Sequence, residues 1–233
     1  MQQRKKDMSL TPSDGPVLAG THEPPHRPDE QPGRPDGSER AGRTTVARTV
    51  TDVLQPRNVL LAGMPGIGLA AAGNWSGIPW GLLGALCAGI IPAAYIQWER
   101  KRGTWGDRNI VDRTKRPPIF LVILASIGLG SIIMILGHAP TGILIAMLAL
   151  WAMTVVLLAI NHVWKISVDS AVASAIPAML AAVYSPWWLL AYGLTLAVCW
   201  SRVALTYHTV AQTAAGASVG ASTAAAFLLT GLE

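Results

Sequence analysis

Between Pro118 and Leu232 the chain carries only three formally charged residues: Lys165, Asp169 and Arg202. A charge at the centre of a bilayer costs roughly 2.5–3.5 kcal/mol on insertion scales, so each of the three needs a reason to be there. Over the whole chain 13% of residues are charged and 51% hydrophobic, against about 25% charged in an ordinary soluble domain. The apolar excess falls into segments of membrane-spanning length, which need about 20 mostly apolar residues. Candidate spans are 58–73, 78–97, 118–137, 141–162, 170–184, 187–200 and 209–230; the first, fifth and sixth are short and require little tilt or a thinned bilayer. The predicted fold class is all-α, a polytopic transmembrane helical bundle of six to seven spans.

Residues 1–57 differ in kind. They hold nine Lys/Arg and eight Asp/Glu among Pro, Gly, Ser and Thr, with almost no apolar runs. Such a composition cannot bury enough apolar surface to offset the entropy of ordering, so this segment is expected to be a disordered polar tail. No apolar stretch follows its basic start, Arg4-Lys5-Lys6, so it does not read as a secretory signal peptide. Three regions follow: the tail at 1–57, two N-terminal spans within 58–97, and a membrane core at 98–233.

Short connections at 74–77, 138–140 and 185–186 make the helices antiparallel neighbours. Following the chain from the loop at 98–117, all three embedded charges fall on the loop's side of the bundle. Tryptophans agree: Trp98, Trp164 and Trp200 end spans on that side, and Trp75, Trp80, Trp187 and Trp188 end them on the other, as interfacial belts require. Trp151, mid-span, is the exception. Loop 99–116 holds seven Lys/Arg against three Asp/Glu. By the positive-inside rule this side, the tail and the charged cluster are cytoplasmic, in a multi-pass protein of the cell membrane. The basic pI of about 9.6 therefore speaks to topology and not to nucleic-acid binding. Cys87 and Cys199, in separate apolar runs, read as inert thiols.

Three clusters converge on the charged side: 107–117, 165–170 and 201–212. Several cations, a hydroxyl, a histidine and a carboxylate at one interface suit a phosphate ester, because arginine forks match phosphate oxygens. Fixed cations and a helix N-terminus stabilise charge developing on those oxygens. His208 opens the last helix, with Gln212 four residues on, where its amide oxygen can accept one imidazole N–H and leave the other nitrogen as a nucleophile. His138 lies on the opposite side, and His162 reads as a helix C-terminal residue. Gly216-x3-Gly220 reads as a helix-packing seam.

At these residues the chain resembles the type 2 phosphatidic acid phosphatase (PAP2) superfamily. Ser201-Arg202-x5-His208-x3-Gln212 is similar to the family's Ser-Arg-x5-His-x3-Asp. Ile166-Ser167-Val168-Asp169 resembles Pro-Ser-Gly-His, and Asn109-x6-Arg116-Pro117 resembles Lys-x6-Arg-Pro. The resemblance implies a membrane phosphatase acting on a lipid phosphate or polyprenyl (di)phosphate through a phosphohistidine, with no metal or other cofactor. In that mechanism His208 attacks phosphorus, and Arg116, Arg202 and Ser167 hold the phosphoryl oxygens. The residue at 169 protonates the leaving alcohol, and the residue at 212 orients His208. The chain departs from the family at three places. Asp169 replaces a histidine and can serve as an acid only if burial keeps it protonated. Gln212 replaces a carboxylate, and Asn109 replaces a cation that Lys165 or Arg113 would have to supply. The implied partners are the lipid phosphate and membrane lipids, not nucleic acid; the oligomeric state is left open. Two alternatives stand beside this one. A degenerate PAP2-like protein would bind a lipid phosphate without catalysis. Asp107-x4-Asp112-x3-Arg116-Pro117 also resembles the aspartate-rich motif of UbiA-type prenyltransferases, which bind diphosphate through Mg²⁺.

Overall fold

The computed structural model describes residues 37–102 and 117–231, and among them every regular element is helical. Helix α1 spans Gly37–Val53, α2 Pro56–Ala72 and α3 Gly77–Ala85. A π-helical turn at Leu86–Ile90 joins α3 to α4, Ile91–Lys101. Helices α5 (Pro117–Leu136), α6 (Thr141–Val163) and α7 (Val168–Val183) follow. A 3₁₀ segment at Pro186–Ala191 then leads into α8 (Tyr192–Ala204) and α9 (Val210–Gly231). The boundaries follow local chemistry. Pro56 opens α2 where an N–H has no intrahelical partner anyway. Gly73 closes the same helix in the left-handed region at φ 67°, its N–H bonded to the Ala70 carbonyl.

Among the described residues three helices are long and apolar enough to cross a membrane: Gly77–Lys101, Pro117–Leu136 and Thr141–Val163. Their outward faces carry large aliphatic side chains such as Leu129, Ile132, Ile135 and Leu148, each more than half exposed. A contiguous surface of that kind suits hydrocarbon and not water. Helices α2, α7 and α8 have 17, 16 and 13 residues. Helix α7 is apolar for a different reason, since it is the centre of the bundle. Every residue from Ser170 to Pro177 is buried, and the helix packs on α2, α8 and α9.

Close approach of α9 to α7 depends on two glycines. A Cβ on Gly216 would collide with the Ser167 carbonyl oxygen, and one on Gly220 with that of Ala171. Gly216-x3-Gly220 is thus the packing seam expected from its spacing.

The segment expected to be a polar tail to residue 57 is helical over Gly37–Val53 and packs against α8. Ala47 is fully buried, and Val50 and Leu54 are partly buried. These three sit at helical spacing, a narrow apolar stripe that overall polarity conceals. Thr51 fixes the contact by donating from Oγ1 to Ser201 Oγ at 3.2 Å.

The π turn has an equally local cause. Pro92 has no N–H to continue the α ladder, and the Ile91 N–H bonds Leu86 O instead of Cys87 O. Ser126 Oγ on α5 donates to the released Cys87 carbonyl at 2.6 Å. The bulge widens the helix at Ala88 and Gly89, and both face the cavity described next.

Candidate functional site

Two helix ends meet at the site. Asp169 lies in the first turn of α7, where the helix dipole favours a carboxylate, and Arg202 in the last turn of α8, where it favours a cation. Arg202 Nη2 lies 3.0 Å from Asp169 Oδ1, with the side chains 10% and 23% exposed. Arg202 Nε is buried with no hydrogen-bond partner among the described residues, an arrangement that a buried donor adopts only at a cost or for a ligand.

The loop after α8 folds back onto this arginine. Its carbonyl oxygen accepts the N–H groups of Tyr207 and His208, at 3.0 and 3.2 Å. The tight return puts Thr206 at φ 57°, a left-handed conformation that is costly for a β-branched residue. Lys165 Nζ donates to the Tyr207 carbonyl at 2.6 Å and so ties the α6–α7 connection to this loop.

His208 stands immediately before a capping box. Thr209 Oγ1 accepts the Gln212 N–H at 3.3 Å, and Gln212 Oε1 accepts the Thr209 N–H at 3.1 Å. The same Oε1 lies 3.2 Å from His208 Nδ1. With that oxygen as acceptor, the ring carries a proton on Nδ1. The capping role of Thr209-x-x-Gln212 is legible in the sequence alongside the His–Gln spacing.

Ser167 is placed differently from the role implied for it. Its side chain is fully buried and caps α7, accepting the Ser170 N–H at 3.3 Å and sharing a hydrogen with Ser170 Oγ at 2.9 Å. Its backbone N–H reaches the Gln212 carbonyl at 3.3 Å. Ser167 does not line the cavity, so it positions the start of α7 and the α7–α9 contact. Asp169 takes its ion-pair partner from another helix. Lys165 precedes the first residue of α7, so no helical face aligns it with Asp169, and the ion pair forms with Arg202 across two helices.

Lys165, Asp169, Arg202 and His208 all line one cavity of about 650 Å³. Arg57 and Arg100, which belong to none of the three sequence clusters, line it as well, with Asp52. Most of the remaining wall is apolar, including Leu60, Phe120, Ile123, Leu150, Met153 and Leu157. Asn109, Arg113 and Arg116, like Asp107 and Asp112, lie outside the described residues. Among the described residues no group of three His, Cys, Asp or Glu side chains is placed to hold a metal ion. No protein family, curated protein or solved structure matches the chain.

Proposed function

We propose that this chain is an integral membrane phosphatase that hydrolyses a lipid phosphate. One observation carries the reading: a histidine with an orienting hydrogen bond, a buried arginine, a lysine and a carboxylate line the polar part of an otherwise apolar cavity. Cations at such a site neutralise phosphoryl oxygens, and the apolar wall accommodates a hydrocarbon chain.

In the proposed reaction Nε2 of His208 attacks phosphorus. The N–P bond forms as the P–O bond to the alcohol breaks, the electron pair leaves on the alcohol oxygen, and that oxygen takes a proton from water, since Asp169 is engaged with Arg202. Water then attacks the phosphohistidine. The N–P electron pair returns to Nε2 and phosphate departs. Gln212 holds the imidazole, while Arg202 and, as the resemblance implies, Arg116 stabilise the equatorial oxygens. Asp169 lies 3.0 Å from Arg202, which suits it to hold the guanidinium and to take a proton from the attacking water.

A panel of lipid phosphates incubated with the purified full chain should release inorganic phosphate from at least one member, at a rate EDTA leaves unchanged. Loss of activity in EDTA overturns this mechanism in favour of the diphosphate–Mg²⁺ reading. Binding of the same lipids without release from any of them favours the second reading, a non-catalytic lipid-phosphate-binding protein. The Asp169–Arg202 ion pair, which occupies the expected proton donor, is the observation on that side.

The proposed topology has six to seven spans, with the site and N-terminal segment cytoplasmic. It rests on the basic loop at 99–116 and on the gathering of Arg57, Arg100, Lys165 and Arg202 around one cavity. A single cysteine placed at residue 104, in a background free of Cys87 and Cys199, should resist an impermeant thiol reagent in intact cells and react after permeabilisation. Reaction in intact cells reverses the assignment.

A further inference from the structure

The cavity has more depth than a phosphate needs. On α4 its lining runs from Arg100 back to Ala88 at the π turn, about 18 Å at 1.5 Å per residue. On α6 it runs from Leu157 to Leu150, about 10 Å on the same scale. These walls belong to the interior of the bundle, since Leu60, Phe120, Ile127, Leu150 and Leu157 are all nearly fully buried. The cavity therefore runs inward from the polar site against the hydrophobic core of the bundle.

We infer that the substrate is a single-chain lipid phosphate whose hydrocarbon chain lies inside the bundle, between α2, α4, α5 and α6. The headgroup assignment rests on the phosphatase reading, whereas the chain assignment rests on the cavity. Volume sets the number of chains. At roughly 30 Å³ per small group, the share of a water molecule in the liquid, 650 Å³ holds a phosphate and one chain of moderate length. Two long acyl chains exceed it. The π turn lends the methyl of Ala88 to the wall, while Gly89 lets α2 approach the turn closely. A Cβ on Gly89 would lie 3.2 Å from Arg57 Cα and 3.3 Å from Leu60 Cδ1, at the cavity wall.

The test uses the full chain in nanodiscs and a dodecyl phosphate carrying a diazirine at its terminal carbon, with labelled residues identified by mass spectrometry. Label is expected on interior residues, Ile127, Leu150 or Met153, and should be competed away by unmodified dodecyl phosphate. The Met153→Trp variant, which fills the cavity, should lose most of it. A dodecanol probe with the same photophore should label these positions far less, since nothing on it engages the cations. A phosphatidate probe with two long chains should leave them unlabelled. Label confined to the outward-facing Leu129, Ile132 and Leu148 overturns the inference, as does interior labelling by the two-chain probe. Labelling is read equally in the His208→Ala variant. Interior label without phosphate release leaves the chain site standing and removes the catalytic reading; release with outward label does the reverse.

Discussion

Replacing His208 with alanine is expected to lower phosphate release from a lipid phosphate by roughly 10³-fold or more, the scale on which removal of a catalytic nucleophile acts. The fold should survive the change. What holds residue 208 in place is its backbone N–H on the Arg202 carbonyl, and the capping box that starts α9 belongs to Thr209 and Gln212. Among the contacts of the side chain is the one to Gln212 Oε1. Thermal stability should therefore shift by only a few degrees, about what the loss of one hydrogen bond produces in a chain of this size. Binding of a lipid phosphate should persist, because Arg202 and Lys165 remain. Imidazole added to the variant should restore part of the rate by supplying the missing nucleophile in solution. A variant as fast as the parent sinks the phosphohistidine mechanism outright.

The residues on which this prediction stands were legible in the sequence to different degrees. Periodicity and hydropathy place the helices well, since runs such as 118–137 and 141–162 leave the chain no other way to satisfy its backbone in an apolar setting. The sidedness count also gathers Lys165, Asp169, Arg202 and His208 without any functional premise, and these four do line one cavity. The choice of partner was not legible. Lys165 and Asp169 are spaced for a helical pair, but the chain from Trp164 to Ser167 is not helical, so tertiary geometry gives Asp169 to Arg202. Ser167 carries a similar lesson. A serine three residues ahead of another serine at a helix start is an N-cap signal, and here capping consumes the hydroxyl that the motif assigns to phosphate.

Two further features lay beyond pattern reading for reasons of scale. Helix α1 docks through a stripe only one or two side chains wide, so composition averaged over 57 residues hides Ala47. The π turn needs Pro92 and a hydroxyl from another helix, Ser126, to form together. Neither signal predicts a bulge alone. Arg57 and Arg100 joined the site because the cavity wall comes from α2 and α4 as well as from the helices that carry the motifs.

The largest effect expected outside the chemistry is at Gly220. Leucine there places a Cβ into the carbonyl oxygen of Ala171, and that oxygen belongs to the most buried helix of the bundle, so it has nowhere to move. The remaining solution is to separate α9 from α7, the most extensively packed pair among the described helices. Overpacking of this kind costs about 3 kcal/mol, or roughly 10 °C in melting temperature for a chain of this length. Function should fall further than stability. Helix α7 carries Asp169, and the start of α9 carries Gln212 and fixes His208, with the Ser167 N–H to Gln212 carbonyl bond joining the two at the site. Gly216→Leu should behave alike, because its Cβ meets the Ser167 carbonyl. Ser218→Leu, on the exposed face of the same helix, should leave both melting temperature and phosphate release near the parent values. Equal stability of Gly220→Leu and Ser218→Leu, read by thermal unfolding in the same detergent, contradicts the α7–α9 seam and with it the way His208 and Asp169 are brought together.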